Sequence, residues 1–165
     1  MSKTKFYLTN DEMQIIKNNA KEITIQARLH NQKINVIAPE YDVELIGLMG
    51  EYAAAQYFNI DFVFNTLYDY ERNDLSNGYE VRSTTWPNGN LIIYDDDKPA
   101  CYILAIVNLD ESSVDLKGWL HIIECRQKKY WRDKPQVRQA SYWVSQSDLR
   151  PLAQLRSDLS GRANV

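Results

Sequence analysis

Asp74-Leu75-Ser76-Asn77-Gly78-Tyr79-Glu80-Val81-Arg82-Ser83-Thr84-Thr85 is the stretch on which the fold turns. Ser76-Asn77-Gly78 is a turn signal, because Asn and Gly tolerate the backbone that a tight reversal needs. Tyr79 to Thr85 then reads as a strand. The two-residue period of a strand puts Glu80 and Arg82 on one face, with Val81 and Ser83 on the other. Asp74 precedes them, and a hairpin at Asn77-Gly78 would bring its carboxylate near Glu80. Two such carboxylates can hold Mg²⁺, which takes oxygen ligands and keeps several waters, and the Val81 carbonyl can supply a further oxygen.

Upstream, Phe62-Val63-Phe64 reads as a short buried strand, followed by a polar stretch rich in Tyr and Asp. Before it, residues 42–58 are predicted to form a helix narrowed by Gly47, Gly50, Ala53, Ala54 and Ala55. Each internal glycine costs about 1 kcal/mol relative to alanine, so close packing is expected to offset it. Gly47, Glu51, Ala54 and Phe58 share one helical face, which sets the Glu51 carboxylate among small residues. Residues 31–40, holding Pro39, read as a loop. An earlier helix is expected over about 9–29. Thr9 and Glu12 have capping-box spacing, Leu8 and Met13 can form a hydrophobic staple, and Ile16, Ala20, Ile23 and Ala27 recur at helical spacing.

Downstream, Trp86 to Asn90 makes a turn into a strand at 91–94, and residues 95–99 form a loop. Residues 101–107 are a continuous apolar run, expected at the centre of the sheet. Further strands are predicted at 119–123 and 141–144, with a short capped helical turn at 147–151. This order predicts an α/β (α+β) sandwich, a mixed β-sheet flanked by helices. No repeat, low-complexity tract or Pro/Gly-rich linker divides residues 1–165, so one domain is expected.

The chain is 44% apolar and 25% charged, which suits a folded globular protein rather than a disordered one. Its start lacks an apolar signal region and no run is long enough to span a bilayer, so a cytoplasmic location is expected. Cys101 and Cys125 sit in apolar surroundings and read as reduced thiols, not a disulfide frame or a zinc set. His30 and His121 are too few for a His-based metal site. The charge is uneven: residues 1–116 carry 9 Lys/Arg against 18 Asp/Glu, and residues 117–165 carry 10 against 4. A basic flank beside an acidic centre suits a polyanion approaching bound metal. A C-terminal part that merely balances its neighbour's charge accounts for it equally well.

Glu51 on its small-residue helix, Asp74 at a turn and Glu80-Val81-Arg82 on the next strand together resemble the PD-(D/E)XK nuclease superfamily. That pattern has an acidic residue on a core helix, an Asp at a hairpin and Glu-x-Lys on the next strand. The branch it looks most like is a set of small, mainly phage-encoded proteins. Their Gly-Glu helix, Glu-Val-Arg-Ser-Thr strand, apolar strand and Asp-rich loop match Gly50-Glu51, Glu80 to Thr84, Leu91 to Tyr94 and Asp95 to Asp97. Gly118-Trp119, Tyr130-Trp131 and Leu149-Arg150-Pro151 extend the likeness, which covers about 41–152.

The resemblance implies a restriction-endonuclease-like core and a metal-dependent nuclease acting on phosphodiester bonds, in DNA first, with RNA left open. It implies Mg²⁺, with Mn²⁺ as a substitute, held by Glu51, Asp74, Glu80 and the Val81 carbonyl. The catalytic set is then Glu51, Asp74, Glu80 and Arg82. Arg82 stands where the family usually has lysine; it stays protonated and cannot act as a base, though it can position or neutralise. An alternative follows from that departure: an inactive nuclease-like domain that binds nucleic acid or a host protein, in phage takeover of a host or evasion of its defences.

The same residues admit plainer readings. Glu51 can border a buried face and reach solvent, Asp74 can cap the turn after it, and Glu80 with Arg82 can be an exposed charge pattern. Asp95-Asp96-Asp97 reads first as a solvated loop, and the four tryptophans as packing. Lys128-Lys129-Tyr130-Trp131-Arg132 alternates cations with rings, as phosphate contacts and base stacking require, but fits a solvated loop equally well. The sequence leaves the oligomeric state open.

Overall fold

The computed structural model describes residues 3–29, 40–64 and 73–155, and their side chains except at 27, 28 and 40–42. The expected loop at 31–39 and most of the polar stretch after Phe64 lie outside these residues. Helix α1 spans Asn10–Leu29 and helix α2 Glu40–Phe58, the latter beginning slightly before the predicted start. The capping box is formed: Thr9 N–H donates to Glu12 Oε2 at 2.8 Å and Glu12 N–H to Thr9 Oγ1 at 3.2 Å. Ile16 and Ala20 are buried as the helical period requires.

Among the described residues, seven strands form two sheets, the first strand preceding α1. They are β1 (Lys5–Tyr7), β2 (Glu80–Thr84), β3 (Leu91–Ile93), β4 (Cys101–Asn108), β5 (Ser113–His121), β6 (Trp131–Arg132) and β7 (Ser141–Val144). The first sheet has the order β1-β5-β4-β2, with β2 parallel to β4 and the other pairs antiparallel. The second has the order β3-β7-β6 and is antiparallel. The class is therefore mixed α+β.

Strand β4 runs between β2 and β5 and is buried on both faces, which explains its unbroken apolar sequence. Its Ile103, Ala105 and Val107 pack with α1 and α2 in one core. Its Tyr102 and Leu104 pack with Leu91, Ile93 and Val144 of the second sheet in another. Helices α1 and α2 thus cover one face of the four-stranded sheet, and the small sheet covers the other.

Several expectations need correction. Phe62-Val63-Phe64 is not a strand. Phe62 and Phe64 pack their rings against Tyr52 of α2, at 5.8 Å and 6.2 Å between centroids, while Val63 is exposed. The alternation was genuine, but it serves a helix rather than a sheet neighbour. The turn at Ser76-Asn77-Gly78 exists, with Gly78 at φ 87° and its N–H donating to Leu75 O at 3.0 Å. No hairpin leads into it, because residues 73–79 form a loop and β2 pairs with β4 instead. The strand at 119–123 starts earlier, at Ser113, and stops at His121. There the His121 ring accepts Ile123 N–H, Glu124 accepts His121 N–H, and a short helix α3 (Ile122–Cys125) begins. Near the end, a 3-10 turn covers Gln146–Asp148, and Arg150 is already extended, bridging to Trp119.

Candidate active site

Among the described residues, strand β2 is an edge of the first sheet, and the candidate site wraps round its beginning. The register pairs Glu80 with Tyr102 and Arg82 with Leu104, so both charged side chains lie on the face toward the second sheet. Val81 and Ser83 face α2, where Gly50 rests directly on Ser83 and Ala105. Asp74 comes from outside the edge: Val81 N–H donates to its Oδ2 at 2.8 Å. A strand residue in a parallel pair projects its N–H and C=O to the same side, so the Val81 carbonyl also lies along this edge. Asp74 caps the strand, not the turn that follows it in sequence.

Electrostatics tie the carboxylates together. Burial, then the charges of Asp74, Glu44 and Glu80, hold the Glu51 carboxyl well above the usual carboxylate range. Burial raises Asp74 as well, although the Val81 N–H and nearby Arg82 and Lys98 oppose it. Glu80 is 8% exposed, and burial with the adjoining Asp74 charge pushes it to about 7. Glu51, Asp74 and Glu80 therefore occupy one field, Glu51 reaching it from the helix side. Glu44, two turns before Glu51 on α2 and itself raised by burial, belongs to the same field. The sequence reading passed over Glu44, though seven-residue spacing from Glu51 puts the two on one helical face.

One cation, Arg82, stands on β2 itself, and the other, Lys98, arrives from the loop before β4. Arg82 Nη2 donates to Asp97 Oδ1 at 2.6 Å, and its guanidinium lies 5.3 Å from the Tyr102 ring centre. Burial works against the Arg82 charge, but Asp97, Tyr102 and Asp74 together raise its pKa. Asp97 also accepts Tyr94 N–H at 2.8 Å, and its carbonyl accepts Arg126 Nη2 at 3.0 Å. The Asp95-Asp96-Asp97 run is thus a solvated loop only in its first two residues; Asp97 is a clamp. The next residue, Lys98, lies with Nζ 3.0 Å from Glu80 Oε1, although no well-aligned hydrogen bond reaches that oxygen among the described residues. Its carbonyl accepts Tyr102 Oη at 2.9 Å. Lys98 is the chief residue that the sequence did not reveal.

Among the described residues, no three Asp, Glu, His or Cys side chains converge closely enough to hold a metal by themselves. The donor set nonetheless fits a hard divalent cation. Asp74 and Glu80 are hydrogen-bonding neighbours carrying an unfavourable negative field, and the Val81 carbonyl lies on the same edge. Mg²⁺ retains waters and needs few protein oxygens.

The basic segment is divided in the fold. Lys128 and Lys129 are exposed, and Lys129 approaches Asp148 at 3.9 Å. Tyr130 is a core residue whose Oη donates to Asp148 at 2.8 Å. Trp131 packs on Tyr142, and Arg132 lies 4.7 Å from the centre of the Trp143 ring. Both cysteines are free thiols, and burial raises Cys125 to about 12. No family model, curated protein or solved structure matches this chain.

Proposed function

We propose that the chain is a metal-dependent nuclease on a restriction-endonuclease-like core, hydrolysing phosphodiester bonds in DNA. The observation that carries this reading is the cluster of Glu51, Asp74 and Glu80 at one strand edge, all raised in pKa by burial. A fold keeps such a cluster at a cost, and perturbed carboxylates of this kind mark functional sites. Asp74, Glu80 and the Val81 carbonyl would hold Mg²⁺ or Mn²⁺, with Glu51 behind them. The bound ion would supply charge stabilisation and a more acidic water.

Lys98 answers the departure at position 82. Its ammonium, 3.0 Å from Glu80 Oε1, stands beside the motif glutamate as the family's lysine does, but comes from the loop before β4. In this reading Lys98 orients the attacking water and offsets charge developing on phosphorus. The water oxygen bonds to phosphorus and gives up a proton to solvent, the bond to the departing ester oxygen breaks, and that oxygen takes up a proton. Arg82, held by Asp97, steadies the phosphate.

Cleavage of plasmid, linear duplex and single-stranded DNA with Mg²⁺ or Mn²⁺ tests this. Asp74→Asn keeps an acceptor for Val81 N–H, so a folded variant should lose about 100-fold or more in rate, as should Glu80→Gln and Lys98→Ala. Cutting by Asp74→Asn at the parent rate would end the assignment. One observation favours a second reading, a non-catalytic domain binding nucleic acid or a host protein: the strand's own cation, Arg82, is committed to Asp97. A folded protein that cuts nothing with either metal would favour it.

A further inference from the structure

A cleft of about 850 Å³ opens beside β2 and shares Arg82 with the candidate site. Arg82 and Ser83 line it from the strand, Val43 from α2, Trp86 and Asn88 from the turn after β2, and Trp143 from the second sheet. We infer that this cleft takes an unpaired nucleotide of the DNA strand, with its base on Trp86 and its phosphate toward Arg82. The choice of DNA rests on the nuclease reading; the preference for an unpaired nucleotide rests on the cleft itself.

Trp86 is 76% exposed, yet it stands on a fastened turn. Gly89 N–H donates to Trp86 O at 2.9 Å, and Gln146 Nε2 donates to Pro87 O at 2.9 Å and to Gly89 O at 3.0 Å. An exposed ring on a held backbone loses little entropy when a base stacks on it, which is how single strands are gripped without sequence readout. Among the described residues that line the cleft, Arg82 alone is charged, which favours an anion over a cation. Asp97 occupies one arm of Arg82, while the buried Arg82 Nε has no hydrogen-bond partner among the described residues. Asn88 brings an amide able to meet a base edge. A duplex is a poor occupant, because its bases are stacked on one another and expose no face to Trp86. The volume also falls in the small-ligand range of roughly 300–1,000 Å³.

The test is anisotropy of labelled oligothymidylate and of a duplex of equal length, both in EDTA so that nothing is cut. The wild-type chain should bind the single strand more tightly, and saturation should quench tryptophan emission. Trp86→Ala should weaken single-strand binding by roughly 5- to 150-fold and leave duplex binding within about twofold. Trp86→Phe, which keeps a ring, should restore most of the affinity. Equal binding of both DNAs by the parent, no single-strand binding, or a Trp86→Ala chain that binds like the parent would each overturn the inference. Loss of affinity for single strand and duplex alike would do the same. Trp86 is exposed, so matching circular dichroism should confirm that the variant folds. Failure of the nuclease reading looks different: Trp86-dependent single-strand binding would persist in a chain that cuts nothing with Mg²⁺ or Mn²⁺.

Discussion

Glu51 is a side chain whose charge the fold would be more stable without. Its carboxyl, like those of Asp74 and Glu80, loses its proton less readily in the folded chain than in the unfolded one. Between the ordinary carboxylate range and about 7, where Glu80 titrates, the folded state therefore holds more protons. Stability should fall as pH rises through that window, the reverse of a protein held by salt-bridged carboxylates. Thermal unfolding in EDTA at stepped pH reads this directly, and a Tm that climbs across the window would refute it. Glu51→Gln should flatten the profile and raise stability at neutral pH by about 0.5–2 kcal/mol, a few degrees in Tm for a domain of this size. On the nuclease reading proposed above, Glu51→Gln should also reduce any rise in Tm on adding Mg²⁺. Glu51 and Glu80 were legible from the helix and strand periods, whereas Asp74 reaches them from a loop that caps β2 rather than through the expected hairpin. Lys98 and Asp97 were not, since the turn through Trp86 and the excursion of β3 into a second sheet decide where that loop returns.

Helix α2 shows how an element's composition encodes its packing, and where that inference overreached. Both Gly47 and Gly50 were expected at a close approach. A Cβ at Gly50 would lie 2.0 Å from Ser83 Oγ and 3.1 Å from Ala105 Cβ, whereas one at Gly47 would meet nothing within 4 Å. Gly50→Ala should therefore destabilise by about 1–3 kcal/mol through overpacking against β2 and β4. Gly47→Ala should stabilise by up to about 1 kcal/mol through helix propensity. Urea denaturation of the pair distinguishes the positions; equal effects of the same sign would contradict this packing. The first part of β5, residues 113–118, escaped the sequence reading for a related reason. Val114 and Leu116 point inward while Asp115 and Lys117 are less buried, a correct alternation, but the register slips opposite Leu104/Ala105. Gly118 adopts φ 150° there, and a Cβ would come 2.6 Å from Arg150 O. The bulge shifts the helix-facing positions from Val114 and Leu116 to Trp119, and Leu120 is buried on the opposite face, so the period is hidden.

The two apolar clusters belong to opposite faces of one sheet, and β4 contributes consecutive residues to both: Ile103 to the helical side, Leu104 to the side of the small sheet. Neither layer can leave without exposing a face of that strand, so the layers should unfold together. The three-stranded sheet has little to hold it otherwise; β6 has two residues and β3 three, and so small a sheet is marginal without a packing partner. Leu104→Ala, at a site 1% exposed, should cost about 2–5 kcal/mol. That loss should lower the transition seen by helical ellipticity, which reports α1 and α2, as much as the one seen by tryptophan emission, which includes Trp131 and Trp143 of the small sheet. Coincident midpoints in the parent and in Leu104→Ala are the expected result. A tryptophan transition that moves away from an unshifted helical one would mean that the small sheet folds apart from the helical layer. The cleft beside β2 would then join two independently folding parts, and the alignment of Trp143 with Arg82 would depend on their docking rather than on a shared strand.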